Sequence, residues 1–183
     1  ANVHRPTVDG GKTGVTYGNR LRSLNTTPGH PNCIESGKRP RITLTPTMVL
    51  KNGKPILAIS IAGGDLQDQA ALNLLLDFIE FGILPEEAVR MPRFATAHHQ
   101  DSFDPNPNRE QTFKQAGSLT VNTGVTQAVR DELARRGHTV EAKDGAIATP
   151  VMVYIDPDRG TFFAAGDPDA RRHAAGLQAK TMK

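Results

Sequence analysis

The chain of 183 residues contains one cysteine, Cys33. A single thiol excludes an internal disulfide framework and any cysteine-rich metal site, so Cys33 reads as an inert residue of a turn-rich stretch. Aromatic residues are scarce, at 5% of the chain. The core must therefore be aliphatic. No apolar run approaches the ~20 residues that span a bilayer, and the opening Ala1-Asn2-Val3-His4-Arg5-Pro6 lacks the apolar centre of a signal peptide. No membrane is expected as a partner, and the compartment stays open between periplasm and cytoplasm. The net charge of +3, from 22 basic and 19 acidic residues, is a small excess. With no Lys/Arg run interleaved with aromatics, it implies no nucleic-acid partner.

The length suits one domain with a full core, while 17 Gly and 13 Pro announce many turns. They are densest at the start: Asp9-Gly10-Gly11, Tyr17-Gly18-Asn19, Thr27-Pro28-Gly29, His30-Pro31, Ser36-Gly37 and Arg39-Pro40. Residues 1–40 thus read as an extended, turn-rich arm lying across the rest. Gly11-Lys12-Thr13 resembles the end of a phosphate loop, but the glycine that motif needs five positions earlier is Pro6, which excludes it. Arg20 and Arg22 are two apart, so in an extended stretch they face the same side.

Residues 41–183 read as a single αβ domain. Thr47-Met48-Val49-Leu50 and the run from Pro55 to Ala62 flank Asn52-Gly53, the strongest short hairpin signal. Ile56–Ala62 is nearly continuously apolar, as in a strand covered on both faces. It runs into Gly63-Gly64, with Asp65 placed to cap the helix that follows. Leu66, Gln69, Leu72, Leu75, Leu76 and Ile79 fall at helical spacing, and Gly82 stops the helix. Pro85 opens a short second helix that Pro92 ends.

Further on, the adjacent His98 and His99 of Ala97-His98-His99-Gln100-Asp101 project in different directions from a strand or helix, a poor arrangement for chelation. A strand is expected around Gly117–Val121, then a helix capped by Asn122 or Thr123 with Val125, Val129 and Leu133 on one face. Strands at 138–141, 151–155 and 161–165 follow. Arg171-Arg172-His173 reads as an exposed face, and the last residues as a polar tail. The expected class is α+β, with helices packed on a largely antiparallel sheet.

Several fragments then line up in one order: Gly37-Lys38-Arg39-Pro40, Leu44-Thr45-Pro46-Thr47, Gly63-Gly64, Glu87-Ala88-Val89 with Pro92-Arg93-Phe94, and Ala165-Gly166-Asp167-Pro168. Together they resemble the C-terminal part of the small subunit of the gamma-glutamyltranspeptidase family. The resemblance implies part of a four-layer αββα sandwich of the N-terminal-nucleophile hydrolases. It also implies a precursor that cleaves itself, so that a threonine heads the small subunit and attacks an amide through an acyl-enzyme. No cofactor and no metal enter that chemistry. Gly63 and Gly64 match the two glycines that supply oxyanion donors.

Other positions depart from the family's pattern. Where the family holds the α-amino group of a γ-glutamyl substrate with a glutamine and paired aspartates, this chain resembles it with Arg20, Arg22 and Ser23. The serine pair that meets the substrate carboxylate matches Ile42 and Thr43. These changes favour a carboxylate or another electron-rich acyl group over an ammonium group. The expected substrate is a small-molecule amide other than a standard γ-glutamyl compound, with hydrolysis ahead of transfer. Ala1 is no nucleophile. The expected partners are a large subunit and an upstream segment bearing the N-terminal threonine, without which the domain is incomplete. The alternative is a family member that has lost catalysis and serves as a binding or assembly subunit.

Overall fold

The computed structural model describes residues 20–102, 108, 111, 113 and 115–175. Residues 1–19 of the arm and 176–183 of the tail lie outside the described residues. A 3-10 turn, Arg20–Ser23, leads into successive turns, in which Asn25 and Cys33 form a lone parallel bridge. Strands β1 (Thr47–Lys51) and β2 (Lys54–Ala62) form the expected hairpin. Asn52 and Gly53 take φ of 53° and 74°, the left-handed pair that matches strand twist in a two-residue turn.

Beyond β2, a 3-10 turn over Gly64–Leu66 opens helix α1 (Gln67–Ile79), and Pro85 starts α2 (Pro85–Ala88). Strand β3 (Phe94–Ala95), strand β4 (Ser118–Asn122), helix α3 (Gln127–Arg135) and strand β5 (Thr139–Lys143) follow, then β6 (Thr149–Ile155) and β7 (Phe162–Gly166). One sheet has the order β1-β2-β6-β7, all antiparallel; the other has the order β3-β4-β5, with β4 and β5 parallel across α3. The class is mixed α and β with largely antiparallel pairing, as the sequence predicts.

The core lies between the first sheet and α1 with α2. Leu57, Ile59 and Ile61 of β2 and Met152 of β6 meet Ala70, Ala71 and Leu74 of α1, Ala88 of α2 and Val89 just after it. The helical spacing of the large residues reads differently in three dimensions. Ala70 and Ala71 face the sheet because small side chains let the helix approach it closely, and Leu72, Leu76 and Ile79 turn outward and are exposed.

Among the described residues strand β2 is likewise covered on one face only, against the expectation of two. Its other face joins Met48, Ala58, Ser60, Val151 and Val153 in a shallow apolar groove. Phe162, paired with Ile155 on the same side, is 67% exposed.

Helix α3 starts later than expected, at Gln127 after Thr126, with no side-chain cap. The two expected caps are engaged elsewhere. The Asn122 amide accepts from the Arg93 N–H and donates to the Gly145 carbonyl, and the Thr123 hydroxyl bonds Asp144. No residue of α3 is buried, so Val129 and Leu133 do not form a core face.

Asp77, on α1, has its pKa raised by burial, an effect that Arg93 partly opposes. A carboxyl whose folded pKa lies above its unfolded one favours the fold below the ordinary carboxylate value. That contribution is lost as pH rises through the raised value. Asp77→Asn is accordingly expected to raise the melting temperature slightly at neutral pH. The gain should vanish below pH 3.8, the reference value; a thermal melt series across pH checks it, and a neutral-pH loss would refute it.

Candidate active site

The end of β2 and the start of α1 meet at the two glycines, and each is glycine for a different reason. Gly63 has an extended φ of 165° that any residue adopts. Its constraint is space, because a Cβ there would stand 3.0 Å from the Ala148 Cβ. Gly64 has φ of +61°, and no atom of the described residues outside its own chain neighbours lies within 4 Å of where its Cβ would be. Its constraint is conformation, since the left-handed region costs an L side chain about 1–2 kcal/mol. The junction thus combines a left-handed peptide, open space and the positive end of a 13-residue helix, a setting suited to a developing negative charge.

The residues after Gly64 fasten a neighbouring segment rather than cap the helix. The Asp65 carboxylate accepts the Ser102 N–H at 2.9 Å and the Ser102 hydroxyl; α1 has no side-chain cap bond. One turn on, the Gln69 amide bonds both backbone groups of Thr96, accepting at 2.8 Å and donating at 3.0 Å. Segment 96–102, with His98 and His99, is therefore tied along the first turns of α1. Between these two clamps Gln67 is fully buried, and its amide atoms have no partner among the described residues.

Three of the four residues read as substrate-binding come together. Arg20 donates from Nη2 to the Thr43 hydroxyl at 3.2 Å, and the buried Ser23 hydroxyl donates to the carbonyls of Arg20 and Arg41 at 2.7 and 3.0 Å. Ser23 thereby serves as a buried tie holding the turn that presents Arg20. Arg22 sits on the same turn and is exposed. The antiparallel register of β1 on β2, with Thr47 beside Ile59, runs the residues before Thr47 toward the Gly63 end of β2.

The strongest polar feature was not assigned a role from sequence. Arg93 and Asp167 are 3% and 2% exposed and form an ion pair. Arg93 also donates from Nε to the Ile147 carbonyl at 3.1 Å and from Nη1 to the Val89 carbonyl at 2.8 Å. Asp167 accepts the N–H of Asp169 through its other oxygen. With the Asn122 bonds, this clasp joins both sheets, α2 and the loop before β6. Arg93 and Asp167 each stand in one of the ordered fragments above, and that co-occurrence was the available signal. A cleft of about 310 Å³ opens over the clasp, lined by Arg90, Asn122, Thr123 and Gly124 among others; the two glycines are not part of it.

The family model described as Gamma-glutamyltranspeptidase matches residues 7–177. The chain belongs to the gamma-glutamyltranspeptidase family. It is 33% identical over 173 residues to the glutathione hydrolase-like YwrD proenzyme of Bacillus subtilis (strain 168), a match covering 93% of this chain and 30% of that protein. It is 26% identical over 153 residues to the acylase ACY 1 proenzyme of Pseudomonas sp. (strain SE83), covering 84% of the chain and 24% of that protein. The solved structure of LmbA2991HD is similar with a TM-score of 0.75 and 30% identity, over 90% of this chain and 28% of that one. The chain thus spans about a quarter to a third of the length of the curated gamma-glutamyltranspeptidase relatives it matches.

Proposed function

We propose that this chain is the oxyanion-hole and acyl-pocket part of an amidohydrolase whose nucleophilic threonine is supplied by a companion segment. The observation that carries this reading is the family match over residues 7–177, within which Gly63 and a left-handed Gly64 lead into helix α1 with open space beside Gly64. The threonine Oγ attacks the amide carbonyl carbon while its own α-amine takes the hydroxyl proton. The carbonyl oxygen becomes an oxyanion facing the N–H groups of the glycine junction. Collapse breaks the C–N bond, the proton passes to the leaving amine, and an ester to threonine remains. Water then attacks the ester, releasing the acid and restoring the hydroxyl.

Arg20 and Thr43, bonded to each other, line the acyl side with Arg22 on the same turn, and Ser23 fixes that turn. A guanidinium beside a hydroxyl recognises a carboxylate or another electron-rich acyl group, which separates this pocket from one shaped for an ammonium group. The similarity to a protein named as an acylase supports an acyl group outside the γ-glutamyl class. The bare face of the β1-β2-β6-β7 sheet fits a second sheet from the companion segment, which would complete the four-layer sandwich.

The test uses the product of the complete gene, purified and offered a panel of γ-glutamyl amides and carboxylated N-acyl amides. Faster release of amine from the N-acyl amides, with an acyl adduct on an N-terminal threonine by intact mass, is expected. An assembly that cleaves no amide and forms no adduct would instead mark a binding or assembly subunit.

A further inference from the structure

Among the described residues, four other than glycine have positive φ: Asn52, Gln115, Ala148 and Arg171. Asn52 is in the hairpin turn, and Asn52, Gln115 and Arg171 are all exposed. Ala148 is different. It is 8% exposed, has φ of 61°, and stands just before β6. Glycine would adopt that backbone freely, so a methyl group there works against the local conformation. What the methyl reaches is Gly63: a Cβ built on Gly63 would meet the Ala148 Cβ at 3.0 Å and its Cα at 3.4 Å.

The short stretch that carries Ala148 is anchored on both sides. Before it, the Ile147 carbonyl accepts from Arg93 Nε and the Gly145 carbonyl from the Asn122 amide, at 3.1 and 2.7 Å. After it, the Thr149 hydroxyl donates to the Ala62 carbonyl at 3.0 Å, and Thr149 pairs with Ala62 in the sheet. Ala148 is thus held by other groups in a left-handed conformation, with its methyl beside the space that a side chain on the first of two consecutive glycines would take. Consecutive glycines have the greatest backbone freedom of any dipeptide, and oxyanion donors act only when preorganised. Strain at a residue held by its surroundings is found where geometry is needed for function.

We infer that Ala148 is a positioning residue, whose methyl group holds the Gly63-Gly64 backbone in the geometry that meets the oxyanion. The inference rests on the proposed amidohydrolase reading. It predicts a separation of stability from turnover that a packing role would not produce. Ala148→Gly relieves the left-handed conformation and frees the glycine pair, so the melting temperature should hold or rise. Meanwhile kcat should fall roughly tenfold with KM within about twofold. Ala148→Ser keeps a Cβ at the same place and should retain kcat.

The measurement is steady-state kinetics and thermal melting on the processed assembly, wild type and both variants, with the best substrate of the amide panel. Wild-type kcat in Ala148→Gly would overturn the inference while leaving the amidohydrolase reading intact. Equal loss in Ala148→Gly and Ala148→Ser would overturn it as well, because the methyl position would then not be what matters. A wild-type assembly without amidase activity would overturn both readings.

Discussion

Asp167→Ala is expected to cost about 3–5 kcal/mol of stability, which for a domain of this size is a fall of roughly 10 °C in melting temperature. The size comes from what is left behind. Arg93, 3% exposed, would keep its bonds to Val89 and Ile147 but lose the carboxylate that balances its charge in a buried site. The loop after β7 would lose a second tie, since Asp167 also accepts from the Asp169 N–H. An uncompensated buried charge costs far more than a pair is worth. Replacing both partners at once, Arg93→Met with Asp167→Leu, should therefore recover a good part of the loss. Urea unfolding of the assembled protein decides it: a single-variant cost under about 1 kcal/mol would mean that water reaches the pair.

Gly64→Ala should lower turnover by about 10²-fold while costing only about 1–2 kcal/mol of stability. The contrast follows from the geometry. Among the described residues nothing lies within 4 Å of the added methyl, so no core contact is disturbed, yet φ of +61° becomes unfavourable and the peptide turns away. Gly63→Ala is the control with the opposite defect. Its φ of 165° suits alanine, but the methyl meets Ala148 at 3.0 Å, so stability should suffer more than in Gly64→Ala. Kinetics and melts of both variants give the comparison, and unchanged turnover in Gly64→Ala would return the glycines to a packing role.

Much of this architecture was legible in local signals. Asn52-Gly53 fixed a hairpin, Pro85 a helix start, and the apolar runs fixed β2 and β6, because each depends on residues adjacent in the chain. What was misread depends on distant partners. Asp65 has the chemistry of a cap, but Ser102, 37 residues away, competes for its carboxylate. Asn122 and Thr123 are drawn off in the same way by residues near 93 and 144. Leu72, Leu76 and Ile79 of α1 carry the right period while Ala70, Ala71 and Leu74 take the sheet side, since periodicity shows a stripe and not which neighbour it meets.

The site divides along the same line. The glycine pair and the basic residues Arg20 and Arg22 were visible as motifs, although their stretch is a 3-10 turn and not extended. The bond from Arg20 to Thr43 spans 23 residues and the Arg93–Asp167 pair spans 74, separations at which one sequence carries no signal of contact. Ala148 was invisible for a different reason: an alanine looks ordinary until its backbone conformation is known.

The uncovered face of the first sheet, where Met48 is 64% exposed, bears on how such a protein comes to exist at all. An apolar sheet surface released alone into water would seek any complementary strand face, including copies of itself. In a single precursor the completing segment is tethered, so it meets this face at an effective concentration near the millimolar range and at no dependence on how much protein the cell holds. On the proposed function, cutting the chain only after folding would free the nucleophile's amine without ever setting the sticky half loose. On that view, late cleavage is as much a safeguard against aggregation as a step of activation.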